Sequence, residues 1–355
     1  MRKTLKILVT GCGAPGTRGT LYSLRNNPDG VEVQLIGSDM NDTAVGRYWV
    51  DRFYTLPSPE SDCYIDAISD IGQKENVDIV IPQTTREIEV LSRHRDYFSQ
   101  KMRVMVSSGT AIQNANNKWR LLDAFKLLKL PYPSYFMTNT EDAFVEAVSS
   151  LGYPRKPVVI KPPVSNGMRG FRILKDNAWN LERFLSEKPN GEEISLNELL
   201  SILKRGHIWP ELLVTEYLPG PEYSVDAFIG SHARIAVPRL RRAIRSGISF
   251  DNLIEFRDDM IDITLRAGEY LDLEYAFGFQ YKLDIEGAPK VLESNPRVQG
   301  TMVASLFCGV NVIWLSVREI MGEPCCVIEP QNTNDISFKR FWGGIGITQN
   351  GIHEI

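Results

Sequence analysis

A chain of 355 residues, 43% of them hydrophobic, can bury a large core and should divide into two or three domains. Its formal net charge of -4 gives nucleic acid or a polybasic membrane patch no footprint, and no apolar run approaches the roughly 20 residues of a bilayer span. Five cysteines (Cys12, Cys63, Cys308, Cys325, Cys326) and four histidines show no paired spacing, which argues against a disulfide framework or a zinc site and leaves a soluble cytoplasmic α/β protein as the expectation.

Residues 1–6 lead straight into a buried strand at 6–10, with no signal-peptide apolar segment between. Gly11-Cys12-Gly13-Ala14-Pro15-Gly16 follows, then a helix at 20–25 and a second strand at 33–36 that ends at Ser38-Asp39. This is a G-x-G-x-x-G pattern after a strand, with an acid beyond the next strand, as a dinucleotide site uses. Glycines in such a turn also let a strand and a helix pack closely, and both readings stay open. Strands at 78–82 and 104–106, each followed by a helix, complete residues 1–112 as an open parallel sheet.

The pattern changes at Asn116-Asn117-Lys118-Trp119. These open a helix with Leu121, Leu122, Phe125 and Leu128 at helical spacing, stopped by Pro131 and Pro133. A strand at 135–138 and a helix at 141–151 precede a buried strand at 157–161. It ends on Lys161, which must be solvated or paired there. Ser165 to Gly170 form a small flexible loop before a strand at 172–174, a hairpin tip whose N–H groups can close over phosphates. An ordinary turn is the plainer reading of the loop, and Lys161 beside it tips the balance. It is not a Walker loop, because the G-x-x-x-x-G-K-[ST] order is absent.

Residues 190–210 are polar around one amphipathic helix (Leu196, Leu199, Leu200, Leu203) and read as an insertion on the smaller domain. The strand beginning at Leu213 ends in Glu216-Tyr217-Leu218. Pro219-Gly220 then turns the chain into an alternating strand through Glu222 and Asp226, as at a crossing between domains. Four arginines fall in 239–245. A solvated basic face is the default, yet Arg239 and Arg241 share one side of a strand-like stretch and can form an anion pocket.

A helix at 258–271 leads into a hairpin. One strand covers 279–285, Glu286-Gly287 forms the turn, and the strand from Val291 ends in Glu293, Asn295 and Arg297. Alternation puts these three on one face, and Pro296 stops regular pairing. A tight turn centred on 286 and 287 sets Gln280 opposite Glu293, whereas an odd loop shifts that register by one. Gln280, Glu293 and Asn295 would then form a hard-oxygen cluster suited to magnesium held against phosphates. A polar strand end meeting solvent has the same residues. Helices at 303–308 and 313–321 complete the core, and 338–342 reads as a last edge strand.

Lys118, Lys161 with its glycine loop, Glu216-Tyr217-Leu218, Gln280, Glu293 and Asn295 occur in an order that resembles the ATP-grasp superfamily. Residues 216–226 (EYLPGPEYSVD) and 293–297 (ESNPR) are most similar to its carbamoyl-phosphate-synthetase-large-subunit-like branch. The resemblance covers nearly the whole chain. It implies an α/β fold, α+β in the ATP-grasp part. An N-terminal open parallel Rossmann-like pre-ATP-grasp domain would cover 1–112, and a two-lobed ATP-grasp domain 113–330, with a small lid subdomain at about 131–215. The remainder, 331–355, would be an edge strand and tail.

The resemblance further implies that Lys118 and Lys161 contact the phosphates of ATP, under a lid made by Ser165, Gly167 and Gly170. Glu216, with the backbone of Tyr217 and Leu218, would hold adenine, and Glu222 the ribose. Magnesium, with manganese as an alternative, would fall to Gln280, Glu293 and Asn295. Arg297 would stabilise charge on the transferred phosphoryl group, with Lys161 and Arg241 completing the catalytic set. The implied activity joins a carboxylate, that of an amino acid as first expectation, to an amine through an acyl phosphate, releasing ADP and phosphate. Partners would be these small molecules, with no nucleic acid or membrane, and a homodimer is compatible.

Carbamoyl-phosphate synthetases are much longer, internally duplicated, and carry a further arginine soon after their NPR. Here Val298-Gln299-Gly300-Thr301 stands instead, which moves the expectation from bicarbonate to a larger carboxylate. Three other readings remain. One is a kinase that phosphorylates a carboxylate or amide without ligation, and another is a nucleotide-binding regulator without catalysis. The third is an NAD(P)-dependent oxidoreductase using Gly11 to Gly16, which leaves Lys161, Glu293 and Asn295 without a role.

Overall fold

Strand β1 (Leu5–Val9) is an unbroken apolar run because it is covered on both faces. In the computed structural model, Ile7 and Val9 pack with Leu21 and Leu24, while Leu8 packs with Ile68 and Leu91. The structure describes all residues except 1–3, 100–101, 166, 177–179, 188–190, 326–328, 331–335, 349–350 and 355. The first sheet has the order β3 (Arg52–Thr55), β2 (Val33–Asp39), β1, β4 (Ile79–Ile81), β5 (Arg103–Val104). Every pair in it is parallel, as a doubly wound sheet requires. Helix Thr85–Arg93 starts at a capping box, in which Thr84 and Glu87 satisfy each other's backbone N–H groups.

The chain groups into two compact units. The first comprises residues 1–116, 221–281 and 293–355, and the second 117–220 and 282–292. The second unit has a sheet of five strands, β6 (Tyr135–Thr138), β10 (Leu212–Glu216), β7 (Val158–Lys161), β8 (Arg172–Leu174) and β9 (Glu193–Ile194), in that spatial order. Val158, Ile160, Leu174 and Val214 pack there against Phe144, Val148 and Leu199. The amphipathic helix expected near 196 is present as Leu196–Leu203, capped by Ser195 and burying Leu199. Asn190, where the insertion was expected to begin, lies outside the described residues.

The remaining large sheet contains β11 (Glu222–Ile229), β12 (Arg234–Arg245), β13 (Ile248–Ile254), β14 (Tyr275–Leu283), β15 (Pro289–Asn295) and β16 (Ser337–Lys339). Their spatial order is β15-β14-β11-β12-β13-β16. The β12–β13 ladder slips between Arg241 and Ala243, a bulge that locally re-aims side chains. The expected edge strand at 338–342 is shorter: β16 ends at Lys339, and Phe341 and Trp342 are 74% and 77% exposed. A further hairpin, β17 (Ile345–Thr348) and β18 (Gly351–Glu354), follows it. Among the described residues no single helix is long and apolar enough to cross a membrane.

Candidate active site

Hairpin β14–β15 carries the candidate metal ligands. Its turn closes with the Asp284 N–H donating to the Ala288 carbonyl at 3.0 Å and the Gly287 N–H to the Asp284 carbonyl at 3.2 Å. Gly287 adopts φ +84°, the left-handed conformation that closes a loop of residues 285–287 after a type I turn. The loop is therefore odd, correcting the expectation of a turn centred on Glu286 and Gly287. Counted from Asp284 and Ala288, the ladder brings Gln280 opposite Leu292.

The burial alternation of β15 then changes phase. Pro289 and Val291 are buried and Lys290 is half-buried, but Leu292 and Glu293 in succession are both half-buried, followed by buried Ser294 and half-buried Asn295. Glu293 and Asn295 on β15 and Gln280 on β14 are all half-buried.

Around this strand end, Asn295 Nδ2 lies 3.5 Å from Glu293 Oε1, and Arg297 Nη2 donates to Asn295 Oδ1 at 3.3 Å. Arg297 also donates to the Val298 carbonyl at 2.9 Å and to Thr85 Oγ1 at 3.4 Å. No carboxylate among the described residues forms an ion pair with it. Burial pushes its guanidinium down from the usual range, against the opposing pull of Glu293 and Glu87.

Arg241 is paired within the first unit. Its Nη1 donates to Glu222 and, at 3.2 Å, to Gln280 Oε1, and its Nη2 to the Gly247 carbonyl at 2.7 Å. Arg239 is fully buried, bound to Asp226 at 2.5 and 2.7 Å, to Asn252 at 2.9 Å and to Thr301 at 2.7 Å. The anion pocket expected from these two arginines is thus filled by the protein's own carboxylates. The β11–β12 register explains this, since Ser224 lies opposite Arg239 and their neighbours Glu222 and Asp226 stand on the same face.

No group of three or more His, Cys, Asp or Glu is placed for a metal among the described residues. Glu293, Asn295 and Gln280 offer one carboxylate and two amide oxygens. That is a partial shell of the kind magnesium accepts when phosphates and water complete it, so the donor set fits.

In the second unit, Asn117 Oδ1 accepts from the Trp119 and Arg120 N–H groups at 3.0 and 3.2 Å, which fixes Lys118 as the first helical residue. Lys118 Nζ donates to the Ser165 carbonyl at 2.8 Å and lies 3.4 Å from its Oγ. Lys161 ends β7, is 6% exposed, and donates to the Leu292 carbonyl at 3.1 Å. Gly167 and Gly170 adopt φ +58° and +76°, and Asn166 between Ser165 and Gly167 lies outside the described residues.

Glu216 ends β10, accepts the Ser134 N–H at 2.8 Å, and pairs with Lys290 at 3.0 Å. The Lys282 ammonium lies 5.2 Å from the Tyr217 ring centre, and Leu218 is buried. Lys282 and Lys290 were not anticipated. Their signal was available, because both fall on the polar positions of alternating strands.

The glycine-rich turn packs closely. The Gly13 N–H donates to Asp39 at 2.7 Å, and a Cβ on Gly16 would lie 2.8 Å from Gly300 Cα. Burial pushes the Cys12 thiol up to about 12, and Asp39 and Glu87 add to that rise.

Residues 209–340 match the family described as ATP-grasp in the biosynthetic pathway with Ter operon, and residues 7–106 the PylC-like N-terminal domain. The carbamoyl phosphate synthase large chain of Clostridium acetobutylicum is 24% identical over 313 residues, covering 84% of this chain and 26% of that protein. The chain thus spans about a quarter of that relative's length. Among solved structures, N5-carboxyaminoimidazole synthetase from Staphylococcus aureus complexed with ADP aligns over 93% of this chain and 81% of its own. The TM-score is 0.70 at 14% identity.

The biotin carboxylase domain of Hydrogenobacter thermophilus 2-oxoglutarate carboxylase, solved with MgADP, ADP and bicarbonate, aligns over 95% and 73% with a TM-score of 0.67 at 16% identity. The fold is that of the ATP-grasp ligases, a parallel N-terminal sheet followed by largely antiparallel ones. The chain thus carries a match to an ATP-grasp family behind a match to a PylC-like N-terminal domain, and it is similar to the carbamoyl-phosphate-synthase large chain over most of its length.

Proposed function

We propose that the chain is an ATP-dependent carboxylate–amine ligase. A carboxylate, that of an amino acid by first choice, is activated as an acyl phosphate and opened by an amine, with ADP and phosphate as products. The reading rests on the end of β15, where a carboxylate, an amide and a desolvated guanidinium without a carboxylate partner among the described residues follow one another. Phosphoryl transfer needs positioning and positive charge more than a protein nucleophile, and these residue types supply both.

In this reading Lys118 and Lys161, which donate to the carbonyls of Ser165 and Leu292, turn to phosphate oxygens, where the hydrogen bonds are charge-assisted on both sides. Ser165, Gly167 and Gly170 lay backbone N–H groups over the phosphates. Glu216 and the main chain of Tyr217 and Leu218 receive the adenine, and Glu222, steadied by Arg241, the ribose. Gln280, Glu293 and Asn295 hold magnesium, which supplies charge neutralisation at the terminal phosphates when bound. Arg297 offsets charge on the transferred phosphoryl group and orients the carboxylate.

The test uses ATP labelled separately at the α and γ positions, with pools of carboxylates and amines, and products resolved chromatographically. ADP and inorganic phosphate are expected. Carboxylate alone should give only slow ADP release, as the acyl phosphate leaks to water. Stoichiometric AMP with both pools present would overturn the reading, and a phosphorylated product that accumulates unligated would favour the kinase.

A further inference from the structure

Arg340 is a partly buried cation that the mechanism above does not use. Its main-chain N–H donates to the Phe250 carbonyl at 2.7 Å, just past the end of β16. Its side chain reaches two glycine-containing loops that touch at Gly16 and Gly300: Nη1 donates to the Pro15 carbonyl at 2.9 Å and Nη2 to the Gly300 carbonyl. A guanidinium has five N–H groups, so most remain uncommitted, and Nε is buried with no acceptor. No carboxylate among the described residues pairs with Arg340. Burial pushes its guanidinium down from the usual range, and the neighbouring Arg239 charge adds to this.

The surroundings do not relieve that charge. Arg239 is already matched by Asp226. Asn252 and Gln299 turn their amide oxygens to Arg239, which leaves Asn252 Nδ2 and Gln299 Nε2 buried without acceptors. Arg340 is therefore a cation beside a guanidinium that already has its counter-charge, and among the described residues no carboxylate pairs with it. A staple between two carbonyls would not need a charge, because a neutral amide can donate to both without the desolvation penalty.

We propose that Arg340 receives the carboxylate of the amine substrate, so that the acceptor in the ligation is an amino acid; this rests on the ligase reading above. A carboxylate fits better than a phosphate for two reasons. Its single charge matches the single unpaired guanidinium, and its two oxygens match the guanidinium fork. A phosphate dianion would call for a second cation, and Arg239 is committed to Asp226. Arg340 would thus determine specificity, with the loops at Pro15–Gly16 and Gly300 setting where the carboxylate docks.

Saturation-transfer NMR reads this site without turnover. The probes are the protein amino acids, their carboxamides, and phosphoethanolamine. At least one amino acid should show transfer that its amide does not. Arg340→Gln should weaken that binding by about tenfold or more, the equivalent of one charged hydrogen-bonded pair. Arg340→Lys, which keeps the charge and loses the fork, should fall between. Lys339→Gln, whose native side chain is 68% exposed, should bind as the wild type does.

Equal transfer from acids and amides, transfer from phosphoethanolamine alone, transfer from no probe, or undiminished binding in Arg340→Gln would each overturn the proposal. If Arg340→Gln does not fold, the comparison of acid with amide on the wild type decides. Acceptor-stimulated ADP release separates the two readings. Amino-acid binding through Arg340 without ADP release keeps the subsite and removes the ligase, whereas ADP release whose amine KM ignores Arg340→Gln does the reverse.

Discussion

In the first unit Arg239 and Arg241 are buried against Asp226 and Glu222, whereas in the second Lys118 and Lys161 rest on the carbonyls of Ser165 and Leu292. The two arrangements differ in what a ligand must displace. Taking a guanidinium from its buried carboxylate leaves that carboxylate uncompensated, at about 3–5 kcal/mol. Taking a lysine from a carbonyl gives up a hydrogen bond with a charged donor, worth about 1.5–3 kcal/mol, and an anion replaces it with a stronger one. A carboxylate on a buried cation therefore raises what a ligand must displace. Arg297 and Arg340 carry the comparison into the first unit, since both donate to protein oxygens without a carboxylate among them.

The largest effect should come from Glu293→Gln, which removes the one carboxylate of the proposed metal set. A bound metal typically contributes several kcal/mol of transition-state stabilisation, so ADP release should fall on the order of a thousandfold. The side chain is half-buried at a strand end, and urea unfolding should change little. Near-normal turnover of the folded variant at saturating magnesium would sink the assignment.

The comparison itself is tested next by two substitutions. Asp226→Asn leaves Arg239 buried without its counter-charge, and urea unfolding should show a loss of about 3–5 kcal/mol. Lys161→Met removes an ammonium that donates to the Leu292 carbonyl, so at least the roughly 1.5–3 kcal/mol of a hydrogen bond with a charged donor should be lost, while the KM for ATP rises tenfold or more. Equal losses of stability in the two variants would abolish the distinction between a cation on a carboxylate and one on a carbonyl.

What the sequence revealed follows the same physics. Strands buried on both faces produce unbroken apolar runs, and β1 and β4 could be read directly. Lys118, Lys161 and Glu216 were legible because each stands at the end of a strongly patterned element, where a charge breaks the pattern. β3 is a four-residue edge strand without such a run, and helix Tyr64–Glu75 begins after Cys63 with no side-chain cap, so neither announces itself. β13 mixes Asp251 and Asn252 into its apolar residues and was missed for that reason. The register of the β14–β15 hairpin depended on a three-residue turn, which Glu286-Gly287 does not distinguish from a two-residue one. Arg340 was out of reach because its side-chain partners are main-chain carbonyls distant in the sequence, which leave no signal in residue type.

The smallest effect, an absent one, concerns the glycine-rich turn, where motif and structure part most sharply. In a dinucleotide fold the acid after the second strand is free to meet ribose hydroxyls, and the turn leaves room for a pyrophosphate. Here the Asp39 carboxylate already accepts the N–H of Gly13 at 2.7 Å and that of Asn41 at 2.9 Å. Gly16 abuts Gly300, and a Cβ on Gly11 would lie 2.7 Å from both Glu87 Oε2 and Thr84 Cγ2, so the space beside the turn is occupied by protein. The turn packs strand, helix and the loop after β15 together. Calorimetry with NAD and NADP should therefore show no saturable binding up to about millimolar concentration, the weak end of ligand affinities. Asp39→Ala should instead cost stability, about 1.5–3 kcal/mol for a hydrogen bond to a charged acceptor, discounted toward the lower value because the carboxylate is partly exposed. Micromolar NAD or NADP binding that disappears in Gly13→Val would show that the turn is a cofactor site after all, and that close packing had been mistaken for its purpose.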